Sequence, residues 1–595
     1  MSQTQSNPTQ VGFPNPFITV AVQGVAREVT RGTPVGQLLE SHVAGLPVVA
    51  ALIDRQATTL STPVTSAGNI EPLTTATWEG QRIYRRSLGL LALEAAHGLE
   101  PSVQVRMGPS VGFGQRLLLS GLAPEHLSDF AARLEERMHV LSSAGVQLRE
   151  ESWTIGEALE YFARAGWTDA EQLLRKWRDA SVSVASYGSL YALNFGPMVS
   201  NLKVINGFHV LQDGELLLLV YGRRSVTTRK PSQTMPVVAL SGVGEAPPKA
   251  SGSTRSFLLK QARDQAERGY DIDLQEQAWL KTLGISSVGT FNKACVEGSV
   301  PQMIRVTEGF GEKRVTLIAD EILRRIDDID VVCIAGPSSS GKTTFIRRLS
   351  VQMQVNGITP VGLGLDDYYL DRELTPKDRS GDYDFEALEA LRLDLLHDHL
   401  TRVLAGESVK SARYHFKEGR SDPAGGPLIR IGSRDVLLLE GIHGLNPALL
   451  GSVPPARVFR IFVCPLLQLP FDHLTTVHAS DVRLVRRIVR DRHARAISAK
   501  ETIERWPKVR IGERKHIYPY QLNADAVYDT SLVYELAVLR VYAERYLLEV
   551  PRDHAAFTTA FRLMRLLDRF VSIYPDHVPP TSILREFIGG SGFEY

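Results

Sequence analysis

The chain is predicted to be an α/β protein: a C-terminal doubly wound parallel sheet, preceded by two smaller α+β domains and a helical connector. Three observations carry this. From Asp327 onward, apolar runs of about five residues alternate with helical stretches, the signature of strand–helix–strand units. Before Arg224, strand-like and helical patterns mix without that alternation. Between them, Lys230-Pro231-Ser232 and Pro247-Pro248-Lys249-Ala250-Ser251-Gly252 have the composition of an exposed connector.

In chain order, residues 16–75 contain the strand-like runs Phe17 to Val22 and Val48 to Ile53, a small mixed module. Residues 76–225 open with helical patterns, Tyr84 to His97, Pro124 to Ala144 and Thr154 to Ala165, and reach the strand pattern Leu216 to Tyr221. A linker spans 226–255 and a helical connector 256–325. The sheet domain occupies 326–550, followed by an extension, 551–595.

Of the 595 residues, 67 are Lys or Arg and 66 Asp or Glu, a formal charge of +1 that advertises no polyanionic partner. With 43% hydrophobic residues the chain can build conventional cores, and no apolar run approaches the ~20 residues of a membrane span. Met1 to Asn15 is polar, without a basic start followed by an apolar stretch. Cys295, Cys333 and Cys464 are too far apart for a disulfide framework or a CxxC metal ribbon. A cytoplasmic protein with no membrane contact is expected.

The sharpest chemical signal is Gly336-Pro337-Ser338-Ser339-Ser340-Gly341-Lys342-Thr343, which satisfies GxxxxGK followed by Ser or Thr. It lies between the strand pattern Val331 to Ala335 and a helix with Ile346, Leu349 and Met353 on one face. Gly336 and Gly341 let the backbone curl, so that the amides of Ser338, Ser339, Ser340 and Thr344 and the helix N-terminus surround phosphate oxygens. Lys342 neutralises β/γ charge and the Thr343 hydroxyl can ligate Mg²⁺.

The next acids decide among phosphate-loop chemistries. The run Val361 to Leu365 ends in Asp366-Asp367-Tyr368-Tyr369, at the carboxyl edge of a strand, where open α/β sheets hold ligands. A kinase needs a carboxylate there to accept the acceptor hydroxyl's proton, and Asp366 is the candidate. Val436 to Leu439 ends in Glu440, placed to reach Mg²⁺ directly or through water. In Asp481 to Asp491, helical spacing aligns Arg483, Arg487 and Arg490, with Arg486 beside Arg490, a face suited to closing over phosphates as a lid.

Together, GPSSSGKTT, DDYY, LLEGIH and RLVRRIVRD, from about Asp327 to Val550, resemble the uridine kinase and phosphoribulokinase family of P-loop kinases. The resemblance implies ATP, Mg²⁺ and transfer of the γ-phosphoryl group to a sugar hydroxyl, in the nucleoside case the ribose 5′-OH. It matches Asp366 to the general base, Arg483 and Arg486 to lid arginines, and, with a one-residue gap, Asp384 to the carboxylate that holds ribose hydroxyls. Uridine and cytidine kinases carry Tyr-Asp-Phe with a His three residues later. Here the segment reads Tyr414-His415-Phe416-Lys417-Glu418-Gly419-Arg420, so Gly419 replaces the base-contacting His. Tyr369, Tyr414 and Arg420 are the remaining substrate-binding candidates.

The rest of the chain resembles a longer subgroup of these kinases with N-terminal regions like those of threonyl-tRNA synthetase. Residues 16–75 look like its ubiquitin-like TGS module and 76–225 like its editing-type domain, but Tyr84 to Leu90 and Ala185 to Leu190 lack that domain's metal ligands. A noncatalytic accessory half is expected, with RNA contact and homo-oligomerisation as candidate roles. The expected function is an ATP- and Mg²⁺-dependent nucleoside kinase. The alternatives are a kinase for another small hydroxyl acceptor, such as a sugar phosphate, and a nucleotide-sensing RNA-binding regulator. Three further local readings are structural: His397 and His399 on a surface helix, His473 and His478 in a loop without assigned role, and Pro507 ending a helix at Trp506.

Overall fold

The computed structural model describes residues 16–111, 114–221, 280, 282–377, 381–415, 418–451 and 453–594. The 226–255 linker and the first part of the connector, 256–279, lie outside these residues.

The first module is a six-stranded sheet. Phe17–Val22 pairs antiparallel with Val25–Thr30 and parallel with Asn69–Thr74, which in turn pairs antiparallel with Leu46–Ile53. Alternation along Phe17–Val22 sends Ile18, Val20 and Val22 inward, where they join Val35, Val64 and Ile70 in a core of their own. The following region has the antiparallel sheet Gln104–Val111, Gly114–Ser120, Leu216–Tyr221, Phe208–Asp213, and a three-stranded sheet, Arg149–Thr154, Ser181–Ser186, Tyr191–Leu193. The helix Trp78–Leu99, capped by the Thr77 side chain on the Gly80 amide, runs buried from Ser87 to Ala96 between these layers.

The C-terminal sheet is wholly parallel, in the order Thr359–Gly364, Asp435–Glu440, Val331–Ala335, Val458–Cys464, Ala526–Asp529. Val331–Ala335 and Val458–Cys464 are buried throughout, which explains their unbroken apolar runs. The order reverses beside Val331–Ala335, the phosphate-loop strand, so the loop sits at the switch point where parallel sheets leave a crevice.

One continuous core joins the 76–221 region, the connector helices Val288–Val296 and Val300–Arg324, the parallel sheet and the C-terminal helix Phe557–Leu567. At its centre Asp481 accepts from Arg82 (2.6 Å) and Arg562 (2.8 Å), three residues from three parts of the chain. These charges draw the Asp481 carboxyl far below the usual range despite its burial.

Several local expectations change. The helix Ala499–His516 continues through Pro507, its Ser498/Glu501 capping box in place and Trp506 buried. His399 is buried, with Nδ1 2.8 Å from the Tyr368 hydroxyl. His473 is buried and stacked on Trp167, centroids 4.5 Å apart.

Candidate active site

The phosphate loop leaves Val331–Ala335 at Gly336, where a Cβ would come within 1.9 Å of the Val463 carbonyl oxygen. Ser339 and Gly341 both adopt left-handed backbone, φ 56° and 89°. This curls the chain into the N-terminus of the helix Lys342–Val355. The Ser339 and Ser340 hydroxyls are buried without a hydrogen-bond partner among the described residues, the condition of donors awaiting an oxyanion. Lys342 Nζ donates to the carbonyls of Gly336 (3.0 Å) and Pro337 (3.4 Å).

Thr343 Oγ1 lies 3.4 Å from Glu440 Oε1 at the end of Asp435–Glu440. These oxygen donors beside a phosphate loop fit a Mg²⁺ site. Asp366 sits in the single turn Leu365–Tyr368 after Thr359–Gly364. Asp366 is exposed to solvent, yet the protein around it raises its carboxyl by desolvation, opposed first by the Lys342 charge. Glu440 is raised by burial, again against Lys342, and it feels Asp366. The loop lysine therefore faces both predicted acids.

Tyr369 shares this cleft, its phenol pushed well up by burial and by the charges of Asp366 and Glu386. Its ring meets Tyr414 at 5.7 Å and Phe385 at 6.4 Å, and the Tyr414 amide donates to Asp367 (3.2 Å). Arg420 is exposed on the facing strand, paired with His415. Gly419 has φ 70°, and a Cβ there would meet Arg372 Nε at 2.8 Å, so Arg372 fills the space a side chain at 419 would take. Asp384 is held by Lys515 (3.0 Å) with His516 at 3.9 Å.

The arginine helix Ala479–Ala494 departs from the lid expectation. Arg483 and Arg486 are 1% and 0% exposed. Arg483 pairs with Glu513 and donates to the Ser338 carbonyl (2.8 Å). Arg486 pairs with Glu535 (2.6 Å) and donates to the carbonyls of Thr530 (2.8 Å) and Ser340 (3.4 Å). Buried, with their donors spent on Glu513, Glu535 and backbone carbonyls, these two arginines brace the loop rather than close over it. Arg487 instead reaches the mouth, donating to Ser338 Oγ (2.9 Å), and it and Arg490 share Asp491.

Four residues of the cleft escaped the sequence reading. Glu386 feels Arg487, Asp366 and Lys342, and burial with the Glu513 charge pushes its carboxyl up to about 7. Arg495 continues the Arg487, Asp491 spacing and interacts with Asp366, a signal the pattern did contain. Glu513 accepts from the Ser338 amide (3.2 Å). Glu586, in the C-terminal extension, accepts from the amide (3.2 Å) and hydroxyl (2.9 Å) of Thr344, in the first turn of the loop helix.

In the N-terminal half, the polar groups on and beside the segments Tyr84 to Leu90 and Ala185 to Leu190 are engaged in internal bonds. Tyr84 donates to the Asn206 carbonyl, Ser87 accepts from the Val199 amide (2.8 Å), and Glu94 accepts from the amides of Ser189 (3.0 Å) and Leu190 (2.8 Å).

The sequence pattern of the phosphoribulokinase/uridine kinase family matches residues 331–534, the span that holds the phosphate loop, both strand-end acids and the arginine helix. This part of the chain is a phosphoribulokinase/uridine kinase family domain. The uridine kinase of Brevibacillus brevis is 29% identical over 200 residues, 33% of this chain and 83% of that one. The uridine kinase of Halalkalibacterium halodurans is 27% identical over 199 residues, 33% and 84% of the respective chains. A solved structure of a possible uridine kinase from Bacillus stearothermophilus aligns with 36% of this chain and 98% of its own at 18% identity and a TM-score of 0.26. The kinase family supports phosphoryl transfer to a hydroxyl group, with ATP as the family's donor. Among the described residues no helix is long and apolar enough to cross a membrane.

Proposed function

We propose that the protein is an ATP- and Mg²⁺-dependent kinase acting on the 5′-hydroxyl of a nucleoside. The observation that carries the reading is the placement of Asp366, a carboxylate with raised proton affinity, across the cleft from Lys342 and Glu440. The loop amides and Lys342 bind and neutralise phosphate oxygens, and Arg487 flanks them at Ser338. Thr343 and Glu440 would hold Mg²⁺, which when bound offsets negative charge on the phosphates. Asp366 accepts the proton of the acceptor hydroxyl as its oxygen bonds to the γ-phosphorus and ADP leaves. A base made more basic by its surroundings is better matched to that task near neutral pH.

Tyr369 and Tyr414 offer aromatic surface for a nucleobase, and Glu386 and Asp384 offer carboxylates for ribose hydroxyls. Arg372, at the space beside Gly419, supplies the polar group for the base edge. ADP release from ATP and Mg²⁺ with uridine, cytidine, other nucleosides and ribulose 5-phosphate tests the reading. Turnover confined to nucleosides supports it, and turnover confined to the sugar phosphate rejects it.

A further inference from the structure

A second concentration of positive charge lies outside the cleft, where the accessory half meets the kinase domain. Trp78 begins the helix Trp78–Leu99, and three guanidinium carbons surround its indole: Arg85 at 5.3 Å, Arg514 at 5.3 Å and Arg510 at 5.7 Å from the ring centroid. Tyr221 adds a ring 5.9 Å from Arg85. Arg85 comes from the accessory half, whereas Arg510 and Arg514 lie one turn apart on Ala499–His516. The cluster exists only because the two halves are docked.

All three arginines are half-buried, within reach of a small ion yet poorly screened by water. Among the described residues their counter-charges are few. Arg510 pairs with Glu513 (2.9 Å), while Arg85 donates to the Gln81 carbonyl (3.2 Å). Among the described residues neither Arg85 nor Arg514 forms an ion pair with an acid. Burial, with the like charges of Arg510 and Arg85, pushes the Arg514 guanidinium down to about 10. Holding like charges together at one indole costs stability unless an anion completes the group.

We infer that Arg85, Arg510 and Arg514 form an anion site, held open by Trp78, for a small phosphate-bearing anion. Guanidinium forks bind such oxygens bidentately, and packing around the indole pre-organises them so that little side-chain freedom is lost on binding. The site is connected to the active cleft: Arg510 is shared with Glu513, whose other oxygen accepts from the Ser338 amide of the phosphate loop.

Calorimetric titration of full-length protein carrying Lys342→Ala with inorganic pyrophosphate isolates this site from the phosphate loop. One equivalent is expected to bind, and adding either Arg514→Gln or Arg85→Gln should weaken it at least tenfold. ATP binding this protein more tightly than pyrophosphate would assign the site to a nucleotide's polyphosphate, and equal binding would assign it to inorganic phosphates; both support it. In the Lys342→Ala background without anion, adding Arg514→Gln should leave the melting temperature at or above that of the Lys342→Ala protein because repulsion is relieved, and pyrophosphate should raise only that of the protein that keeps Arg514. Absence of pyrophosphate binding to the Lys342→Ala protein overturns the inference, as does binding unchanged by both arginine substitutions.

Discussion

Arg486 and Arg487 are chain neighbours with opposite surroundings, and the difference sets what each substitution should do. Arg486 is enclosed, bonded to Glu535 and to loop carbonyls, so Arg486→Ala strands a buried carboxylate and should cost about 3–5 kcal/mol, read as a lowered denaturation midpoint. Arg487 is partly open and touches Ser338 Oγ. Arg487→Ala should leave the midpoint near the parent's and lower kcat/KM for ATP by about ten- to a hundredfold, the scale of a lost charge-assisted contact. Helical spacing put both arginines on one helix but could not say which way the helix faces, because Glu513 and Glu535, which bury Arg483 and Arg486, come from later elements. Glu386 is a second case. It lies in an irregular stretch without periodicity, so only the fold reveals it facing Asp366. Its carboxyl is raised to about 7, so the native state holds that proton more tightly than the unfolded chain. Stability on its account is full below about pH 4, the unfolded value, and is lost as pH rises through 7. Glu386→Gln should therefore stabilise the fold at pH 8 by about 1–2 kcal/mol after solvent screening, seen as a raised melting temperature, and leave stability nearly unchanged at pH 4.

At the scale of elements, the loop and the Glu440 strand end were legible, because a buried parallel strand stays apolar until it meets the crevice, and the polar residue that ends the run then marks the ligand edge. Pro507 misled, since the 499–516 helix accommodates it while the flanking cap and buried face keep the helix whole. The C-terminal extension carried no chemical signal in sequence, yet Glu586 accepts from Thr344 and Ile583 packs near Gly341, where a Cβ would approach its Cγ2 to 2.6 Å. A carboxylate on the first turn of the loop helix competes with phosphate for the same donors and repels it. Glu586→Gln is expected to lower the KM for ATP several-fold with kcat little changed, and steady-state kinetics at saturating acceptor will read this. A raised KM would show instead that Glu586 positions Thr344.

For the whole molecule, the sequence distinguished an accessory half from a kinase half but not that they share one core, since pairings such as Arg82 with Asp481 join residues too distant for any local pattern. Asp481→Asn leaves Arg82 and Arg562 under-compensated and should destabilise the fold by about 3–5 kcal/mol. Its carboxyl is depressed in the native state, so the stability it contributes is present above the unfolded value near pH 4 and disappears as pH falls below it. Melting curves across pH should accordingly show the variant's deficit at pH 7 shrinking in acid. In the cleft itself, the role proposed for Asp366 is that of base on a phosphate-loop kinase scaffold. Its most direct test is acceptor-dependent ADP release by Asp366→Asn beside the parent, with ATP affinity measured in parallel. A loss of about 10²–10⁴-fold in kcat with ATP affinity within a few-fold of the parent is predicted, whereas unimpaired turnover by the variant would contradict the account.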